Sequence, residues 1–271
     1  MQCVSPFMIK HEGEIFSVPC GKCVACKIAR VREWTVRILH ESEYYKHSVF
    51  VTLTYDDDHL PINNTLEKKE YQKFMKRLRK ALPNDDRIKY FACGEYGEES
   101  ERPHYHAIIL GLRLCKDTKD LIEEKWPQGF VRLGTVTYDS IRYVLDYMHK
   151  KYNGEMAEEL YDKRNRERPF QLMSLGMGKR HAMQNVGRYA DNLYLTVRGK
   201  KMGLPQYYKR LYGLDKETLK TVGRERAVEK VDKLLARCNG DVRQLSKEER
   251  KSAHQRELNL EARRGLHRRK L

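Results

Sequence analysis

Two histidines flank a tyrosine at the start of an apolar stretch, in the segment RPHYHAIIL at residues 102–110. Side chains alternate between the two faces of a β-strand, so we expect His104 and His106 to point to one face and Tyr105 to the other. Two imidazoles on one face are typical metal ligands. An H-x-H pattern also occurs in ordinary surface histidines, and the continuations expected of a metallo-hydrolase or of a two-histidine phosphoesterase are missing. The pair therefore indicates a metal site only together with further residues.

A metal that is held by two histidines usually needs a third ligand. Glu95 lies in the segment CGEYG, on the predicted strand that precedes the histidines. If the two strands pair side by side, Glu95 can reach the imidazoles and supply an oxygen ligand with a negative charge. Glu98 or Glu99 could take its place. We predict that His104, His106 and Glu95 form the ligand set.

The stretch YVLDYMHK, residues 143–150, has the composition of a helix with two tyrosines. On a helix, Tyr143 and Tyr147 share one face, and Lys150 lies on nearly the same side. A tyrosine hydroxyl can attack a phosphodiester and hold the DNA end covalently. Because its ordinary pKa is about 10, it needs a neighbouring cation or base, and Lys150 can supply the charge. Tyrosines at this spacing are more often packing residues, so the catalytic interpretation depends on the joint pattern.

Four of the seven cysteines lie near the N-terminus. Cys20, Cys23 and Cys26 form a C-x2-C-x2-C pattern, and with Cys3 they can complete a four-thiolate tetrahedron around Zn²⁺. Such an ion would fasten the N-terminal arm to the domain. An iron–sulfur cluster, or three small buried residues at the start of a helix, are the alternatives. The other cysteines are predicted to be structural: Cys93, Cys115 and Cys238.

The chain of 271 residues is strongly basic, with 54 Lys and Arg against 38 Asp and Glu and a formal net charge of +16. This excess, with 17 tyrosines that can stack on bases, favours a nucleic-acid partner. The 199–210 segment combines both kinds of side chain, so we predict DNA contacts there from Lys200, Lys201, Tyr207, Tyr208, Lys209 and Arg210. The sequence shows no signal peptide or membrane span, and the odd number of cysteines favours reduced thiols, so a cytoplasmic location is expected.

Hydrophobic periodicity predicts the elements that position these residues. A first helix follows the cysteines. Strands are predicted at HSVFVTLTYDD, RIKYFACGEYG, PHYHAIILG and GFVRLGTV, with the second and third as an antiparallel hairpin. Helices are predicted at TLEKKEYQKFMKRLRKALP, KDTKDLIEEKW and DSIRYVLDYMHKKY, the last capped by Asp139 or Ser140. This order favours an α+β fold in which helices cover one face of a central, mostly antiparallel sheet.

We divide the chain into four parts on composition and pattern. Residues 1–44 form the arm with the cysteines and the first helix, and residues 45–155 form the sheet domain. Residues 156–215 form a basic extension with glycine-punctuated loops. Residues 216–271 form a charged tail with few large apolar residues, which is expected to be partly disordered or to order on DNA.

Three segments in this order, FVTLTY, RPHYHAIIL and YVLDYMHKK, resemble motifs I, II and III of HUH endonucleases, which initiate rolling-circle replication. With VPCGKCVACK near the start and SLGMG and LPQYYKR towards the end, the chain is similar to the replication initiation proteins of gokushovirus-like microviruses over roughly residues 1–215. One position departs from the family pattern, which has a large apolar residue between the histidines where this chain has Tyr105.

The resemblance implies the HUH fold and a metal-dependent cleavage of DNA by a tyrosine. His104 and His106 would bind Mg²⁺ or Mn²⁺, which polarises the scissile phosphate, and Tyr147 or Tyr143 would attack that phosphate. The products would be a 5′-phosphotyrosine link and a free 3′-hydroxyl, and the hydroxyl would prime the host polymerase. The implied protein starts and ends rolling-circle replication of a phage genome in the host bacterial cytoplasm. Its partners would be single-stranded DNA, the replication origin and the host replication machinery.

Two other functions fit the same residues less closely. A plasmid relaxase or a single-strand transposase shares the chemistry but differs in biological purpose. A non-catalytic DNA-binding protein could use a zinc-stapled arm and a basic tail, with the histidines and tyrosines serving only in packing. The latter predicts DNA binding without a nick.

Overall fold

The computed structural model describes residues up to 214 except 1, 2, 4, 12, 84–86, 98 and 151–154, and beyond them only 221, 228, 232–233, 235–237, 239, 241, 244, 247, 251, 255 and 258. Nothing is described of the side chains of residues 11, 14, 16 and 146–150. The chain divides into two units, Met1–Leu211 and Tyr212–Leu271. Most of the predicted charged tail, including Cys238, therefore lies outside the described residues.

The first unit contains both strands and helices. In chain order its main elements are β1 (Phe7–His11), β2 (Glu14–Val18), α1 (Val24–Ser42), β3 (Ser48–Thr54), α2 (Lys68–Ala81), β4 (Lys89–Tyr96), β5 (Pro103–Leu110), α3 (Lys116–Lys125), β6 (Val131–Thr135), α4 (Tyr138–Lys150), α5 (Glu155–Leu160), β7 (Phe170–Met173), α6 (Lys179–Gln184), α7 (Val186–Asn192), β8 (Tyr194–Val197), β9 (Lys200–Gly203) and α8 (Gln206–Leu211). Among the described residues, no helix combines the length and the apolar character that crossing a membrane would require.

Five strands form the central sheet in the order β6-β3-β5-β4-β7, and every neighbouring pair is antiparallel. The predicted hairpin is confirmed, since β4 and β5 pair along their whole length. The α+β class, with a central antiparallel sheet flanked by helices, is also confirmed. This architecture is consistent with the HUH fold that the resemblance implies.

Helices cover both faces of the sheet, so the prediction that they cover one face is wrong. On one face, Tyr71 and Phe74 of α2 belong to a buried cluster with side chains of β3, β4 and β5. On the other face, Ile38 of α1 and Val144 of α4 form a second buried cluster with Ile108 of β5. Seven of the eight residues of β5 are buried. A strand that is buried on both sides needs a layer of helices on each face of its sheet.

Helix α4 carries the predicted tyrosines, and its first turn is closed by a capping box. The Oγ1 atom of Thr137 accepts a hydrogen bond from the Ser140 N–H at 3.0 Å, and Ser140 Oγ accepts one from the Thr137 N–H at 2.7 Å. Serine takes the place of the usual glutamate or glutamine in this arrangement. The cap is therefore Thr137 and not the predicted Asp139 or Ser140, although Ser140 takes part from inside the helix.

Residues 156–211 form regular elements where the sequence predicts basic loops. Strand β7 pairs with β4 and completes the sheet, while α6, β9 and α8 form parts of the extension that is predicted to consist of glycine-punctuated loops. These elements are only 4 to 6 residues long, which is too short for a clear hydrophobic period. The loop prediction remains correct at Gly176 and Gly178, whose φ angles of 66° and 75° favour glycine.

Candidate functional site

The two predicted histidines lie on β5, the middle strand of the sheet. His106 lies opposite Thr52 of β3 and Cys93 of β4. His104 lies opposite Glu95 of β4. Because side chains alternate along a strand and opposite residues share a face, these residues all point to the face that α1 and α4 cover. The structure therefore brings His104, His106 and Glu95 to one face of the sheet.

His106 is held between a hydroxyl and a carboxylate. Its Nδ1 lies 3.0 Å from Thr52 Oγ1, and its Nε2 lies 3.0 Å from Glu95 Oε1. The side chains of His106 and Glu95 are only 8% and 12% exposed. An ionised carboxylate can only accept hydrogen bonds, so Nε2 is the nitrogen that donates, and the Thr52 hydroxyl can donate to Nδ1 or accept from it. Thr52 therefore fits either protonation pattern of the ring.

His104 is oriented by the backbone. Its Nδ1 donates to the carbonyl oxygen of Arg102 at 2.7 Å, because a carbonyl can only accept. Burial lowers the pKa of His104, which favours the neutral ring and leaves a lone pair on Nε2. Gly97 makes room for this ring, since a Cβ at that position would lie 3.1 Å from His104 Cε1.

Two imidazoles and a carboxylate form a mixed nitrogen and oxygen donor set, which suits a divalent cation such as Mn²⁺ more closely than Mg²⁺. The rings of His104 and His106 are nearly parallel, at 4°, with centroids 6.4 Å apart. Among the described residues, two other groups have three or more ligand atoms within 4.8 Å of one another, and His104, His106 and Glu95 do not form such a group. At least one of these three side chains must therefore rotate before all three can bind one cation. Of the alternative ligands, Glu99 is exposed and Glu98 lies outside the described residues.

One of the two predicted tyrosines meets the histidines. The ring of Tyr143 lies edge-on to that of His106, with centroids 5.5 Å apart, and also contacts the ring of Phe50 at 6.1 Å. Phe50 in turn packs against His106 at 5.8 Å. The side chains of Tyr147 and Lys150, in the last turn of α4, lie outside the described residues.

Comparison with known proteins finds a matching family model and several similar proteins. A family model described as replication-associated protein ORF2 matches residues 48–152. The replication-associated protein ORF2 of Spiroplasma virus 4 is 35% identical over 221 residues, which cover 72% of this chain and 67% of that protein. The chain belongs to the replication-associated protein ORF2 family.

Two further members of this group are more distant. The replication-associated protein VP4 of Bdellovibrio phage phiMH2K is 28% identical over 75% of this chain and 70% of its own length. The replication-associated protein ORF4 of Chlamydia phage 1 is 27% identical over 72% of this chain and 53% of its own length. No solved structure shows a significant match. The matched segment 48–152 runs from β3 to the end of α4, so it includes Glu95, both histidines and both tyrosines.

The four N-terminal cysteines of this family member meet in space, as the spacing predicts. The Sγ atoms of Cys3, Cys20, Cys23 and Cys26 all lie within 4.8 Å of one another. The structure thus shows a group that could hold a metal ion. Cys93 is instead buried in the sheet, where burial raises the pKa of its thiol, in agreement with its predicted structural role.

A second group of metal-ligating side chains was not predicted from the sequence. His40 of α1 and His181 of α6 stack with ring centroids 3.7 Å apart. His40 Nδ1 bonds to Tyr208 of α8, and His181 bonds to both Glu43 and Tyr189 of α7. We call these five residues the histidine clasp, because they tie α1 to the three short helices. Its members are far apart in sequence, and no local pattern connects them.

The predicted DNA-contact residues of the extension differ in exposure. Lys200, Lys201 and Arg210 are exposed, while Tyr207 and Lys209 are half-buried. One face of the Tyr207 ring is covered by the guanidinium group of Arg37, at 4.1 Å. Tyr208 is fully buried in the histidine clasp, so it does not offer a free face for base stacking. The structure therefore removes Tyr208 from the predicted DNA-contact set.

Proposed function

We propose that this protein initiates rolling-circle replication of a phage genome by nicking and rejoining single-stranded origin DNA through a tyrosine nucleophile. The observation that carries the proposal is the contact between Tyr143 on α4 and His106 on β5, inside the segment that the family model matches. Family membership supports the general role in replication, since the three relatives are all named replication-associated proteins.

The three ligand candidates would hold a divalent cation, Mn²⁺ or Mg²⁺, beside the tyrosine. When bound, such a cation polarises the scissile phosphate and stabilises the charge that develops on it. The hydrogen bonds of His104 to the Arg102 carbonyl and of His106 to the Thr52 hydroxyl orient the two rings and support this role. Glu95 contributes negative charge in a site where little water reaches it.

In the nicking step, the hydroxyl oxygen of Tyr143 or Tyr147 attacks the phosphorus. The bond from tyrosine oxygen to phosphorus forms and the bond from phosphorus to the 3′ oxygen breaks. The phenol loses its proton and the departing 3′ oxygen gains one. One phosphodiester replaces another, so the bond energy is kept for rejoining by the reverse reaction. Lys150 is the proposed cation that favours the ionised phenol.

With two tyrosines, the protein can cleave DNA a second time while the first tyrosine is still joined to DNA. While the first holds the 5′ end, the second can cut the regenerated origin after the host polymerase has extended the free 3′-hydroxyl. The net charge of +16 supports binding to the DNA backbone throughout. This cycle places the protein in the host bacterial cytoplasm, with the origin and the host replication machinery as partners.

The proposal is tested by incubating the full chain with single-stranded circular DNA of its own genome and Mn²⁺ or Mg²⁺, with and without a chelator. A covalent protein–DNA band is expected only with the metal ion. We expect the band to disappear in His106→Ala and in the double variant of Tyr143 and Tyr147 to Phe. Tyr138→Phe, in the first turn of the same helix, is the matched control and should retain the band.

The outcomes separate the candidate functions. Single Phe variants of the two tyrosines rank the nucleophiles. If the wild-type protein binds this DNA and leaves it uncut with either metal, the non-catalytic DNA-binding function becomes the better account. If the double tyrosine variant still forms the band, neither Tyr143 nor Tyr147 is the nucleophile.

A further inference from the structure

The N-terminal cysteines come from two separate segments of the chain. Cys3 precedes β1, whereas Cys20, Cys23 and Cys26 follow β2 and run into the first turn of α1. The four Sγ atoms nevertheless lie within 4.8 Å of one another. None of the four forms a disulfide in the structure. The four cysteines are only partly buried, so hydrophobic burial does not explain why their sulfur atoms lie together.

The distances favour one ion over the other ways in which cysteines can associate. The Sγ atoms of Cys3 and Cys23 are 3.8 Å apart. A tetrahedron with zinc–sulfur bonds of about 2.3 Å has edges of about 3.8 Å. A disulfide needs a sulfur–sulfur distance of about 2.05 Å. An iron–sulfur cluster places several irons and sulfides between its cysteines, so the thiolates lie farther apart. The spacing is therefore that of four ligands to a single ion.

The backbone around the cysteines is arranged to stabilise thiolates. The Cys23 N–H donates to Cys20 Sγ at 3.3 Å, and the Cys20 N–H donates to Cys3 Sγ at 3.2 Å. The turn between these cysteines passes through Gly21, with a φ of 71° that favours glycine.

The site lies where the arm meets the domain. The β1–β2 hairpin has only two strands, and several of its apolar side chains are exposed, among them Phe7, Met8 and Ile15. A hairpin of this kind is marginally stable in water without further support. Helix α1 begins directly after Cys23 and packs against α4. A shared ion would connect the hairpin to the start of this helix.

We propose that Cys3, Cys20, Cys23 and Cys26 bind one Zn²⁺ ion in a tetrahedral four-thiolate site that fastens the β1–β2 hairpin to the start of α1. Zinc is the ion expected for four thiolates in a structural site without redox chemistry. The ion would stabilise the folded arm directly, since the ligands converge only in the folded chain. This inference stands apart from the nicking reaction, because none of the four ligands belongs to the face that carries His106.

The test measures bound metal in the full chain, purified without chelator and passed through a desalting column. We expect about one zinc per wild-type chain, and release of that zinc when a mercurial reagent titrates the thiols. Replacement of zinc by Co²⁺ should give the near-ultraviolet charge-transfer bands and intense visible absorption of a tetrahedral cobalt–thiolate centre. Release by the mercurial requires cysteine ligands, and the cobalt spectrum reports whether the centre is tetrahedral and rich in thiolates.

The variant Cys20→Ser with Cys26→Ser should lose the zinc and the cobalt spectrum, whereas Cys115→Ser, outside the set, should keep both. The comparison also excludes the histidine clasp as the source, because that group is intact in both variants. Wild-type protein without zinc, zinc that is unchanged in the double variant, or bound iron instead of zinc would each overturn the proposal. If the double variant fails to fold, the mercurial titration of the wild-type protein still decides it.

Discussion

The position of the protons on His104 and His106 determines what each ring can bind. The carbonyl of Arg102 accepts a hydrogen bond from the Nδ1–H of His104, so the Nε2 lone pair of that ring is already suited to a ligand role. His106 is different, since its Nε2 donates to Glu95. To bind a cation through Nε2, His106 must carry its proton on Nδ1 instead. The Thr52 hydroxyl can then accept that proton in a hydrogen bond.

This role of Thr52 gives a prediction at a single residue. Thr52→Val keeps the shape of the side chain and removes the hydroxyl, so His106 Nδ1 loses its partner in a site that is only 8% exposed. We expect the free energy of unfolding to fall by about 1–3 kcal/mol. We also expect the ¹⁵N signals of the His106 ring to shift. Urea denaturation and side-chain NMR check the two effects.

Two variants accompany this measurement. Thr52→Ser retains the hydroxyl and should behave like the wild-type protein. Thr54→Val lies on the same face of β3 and controls for the loss of any hydroxyl near the site. If Thr52→Val is as stable as Thr52→Ser and leaves the His106 signals unchanged, the hydroxyl does not position the ring.

Part of this site is predictable from the sequence and part is not. The alternation of a strand is enough to place His104 and His106 on one face, and the short β4–β5 connection makes it reasonable to expect Glu95 beside them. The role of Thr52 requires the register between β3 and β5, which joins residues far apart in sequence. Local patterns do not specify that register, so the role of the hydroxyl is not predicted.

Among the elements, the histidine clasp connects α1 to α6, α7 and α8. Burial, and next the neighbouring His181, lower the pKa of His40 to about 3. In the unfolded chain the pKa of a histidine is about 6.5, so the unfolded state binds more protons between these values. Stability must then fall as the pH decreases below about 6.5. The clasp is therefore expected to weaken on acidification.

The size of this effect follows from the two pKa values. Between pH 7 and pH 5, we expect the wild-type protein to lose about 2 kcal/mol of unfolding free energy through His40. His40→Gln has no titrating ring and should lose correspondingly less over the same range. Urea denaturation at both pH values gives the comparison. Equal losses in the two proteins would show that His40 is not held neutral by the fold.

The elements differ in how well the sequence predicts them. Long periodic segments such as α2 and the β4–β5 hairpin are found where the pattern indicates. Helices α1 and α4 are predicted, but their position on a second face of the sheet is not, because an apolar strand such as β5 has the same pattern whether one or both of its sides are covered. Strand β7 and helices α6, α7 and α8 are short, and contacts that are distant in sequence stabilise them.

For the whole molecule, the excess of positive charge predicts DNA binding that depends on salt. Each contact between a cation and a phosphate contributes about −0.7 to the slope of log affinity against log salt for single strands. We expect Lys200→Ala with Lys201→Ala to reduce the magnitude of this slope by about 1.4 if both exposed side chains contact phosphates. Fluorescence anisotropy of a labelled single-stranded oligonucleotide at several salt concentrations measures it.

A control is available on α3. Lys119 is paired with Glu123 at 2.8 Å, so Lys119→Ala removes one positive charge from a different surface. That variant should leave the slope close to the wild-type value. If the double variant of Lys200 and Lys201 has the wild-type slope, these two side chains of β9 do not contact DNA phosphates.

The central claim is that a tyrosine of α4 becomes covalently joined to DNA, and one measurement tests it directly. Trypsin cleaves after Arg142 and Lys150, so a single peptide, YVLDYMHK, contains both Tyr143 and Tyr147. The protein should be incubated with its single-stranded genome and Mn²⁺, digested with nuclease and then with trypsin, and analysed by mass spectrometry. We predict this peptide with the added mass of a nucleotide on Tyr143 or Tyr147. Nicked DNA with the nucleotide on any other residue, or with no nucleotide on the protein, would contradict the account.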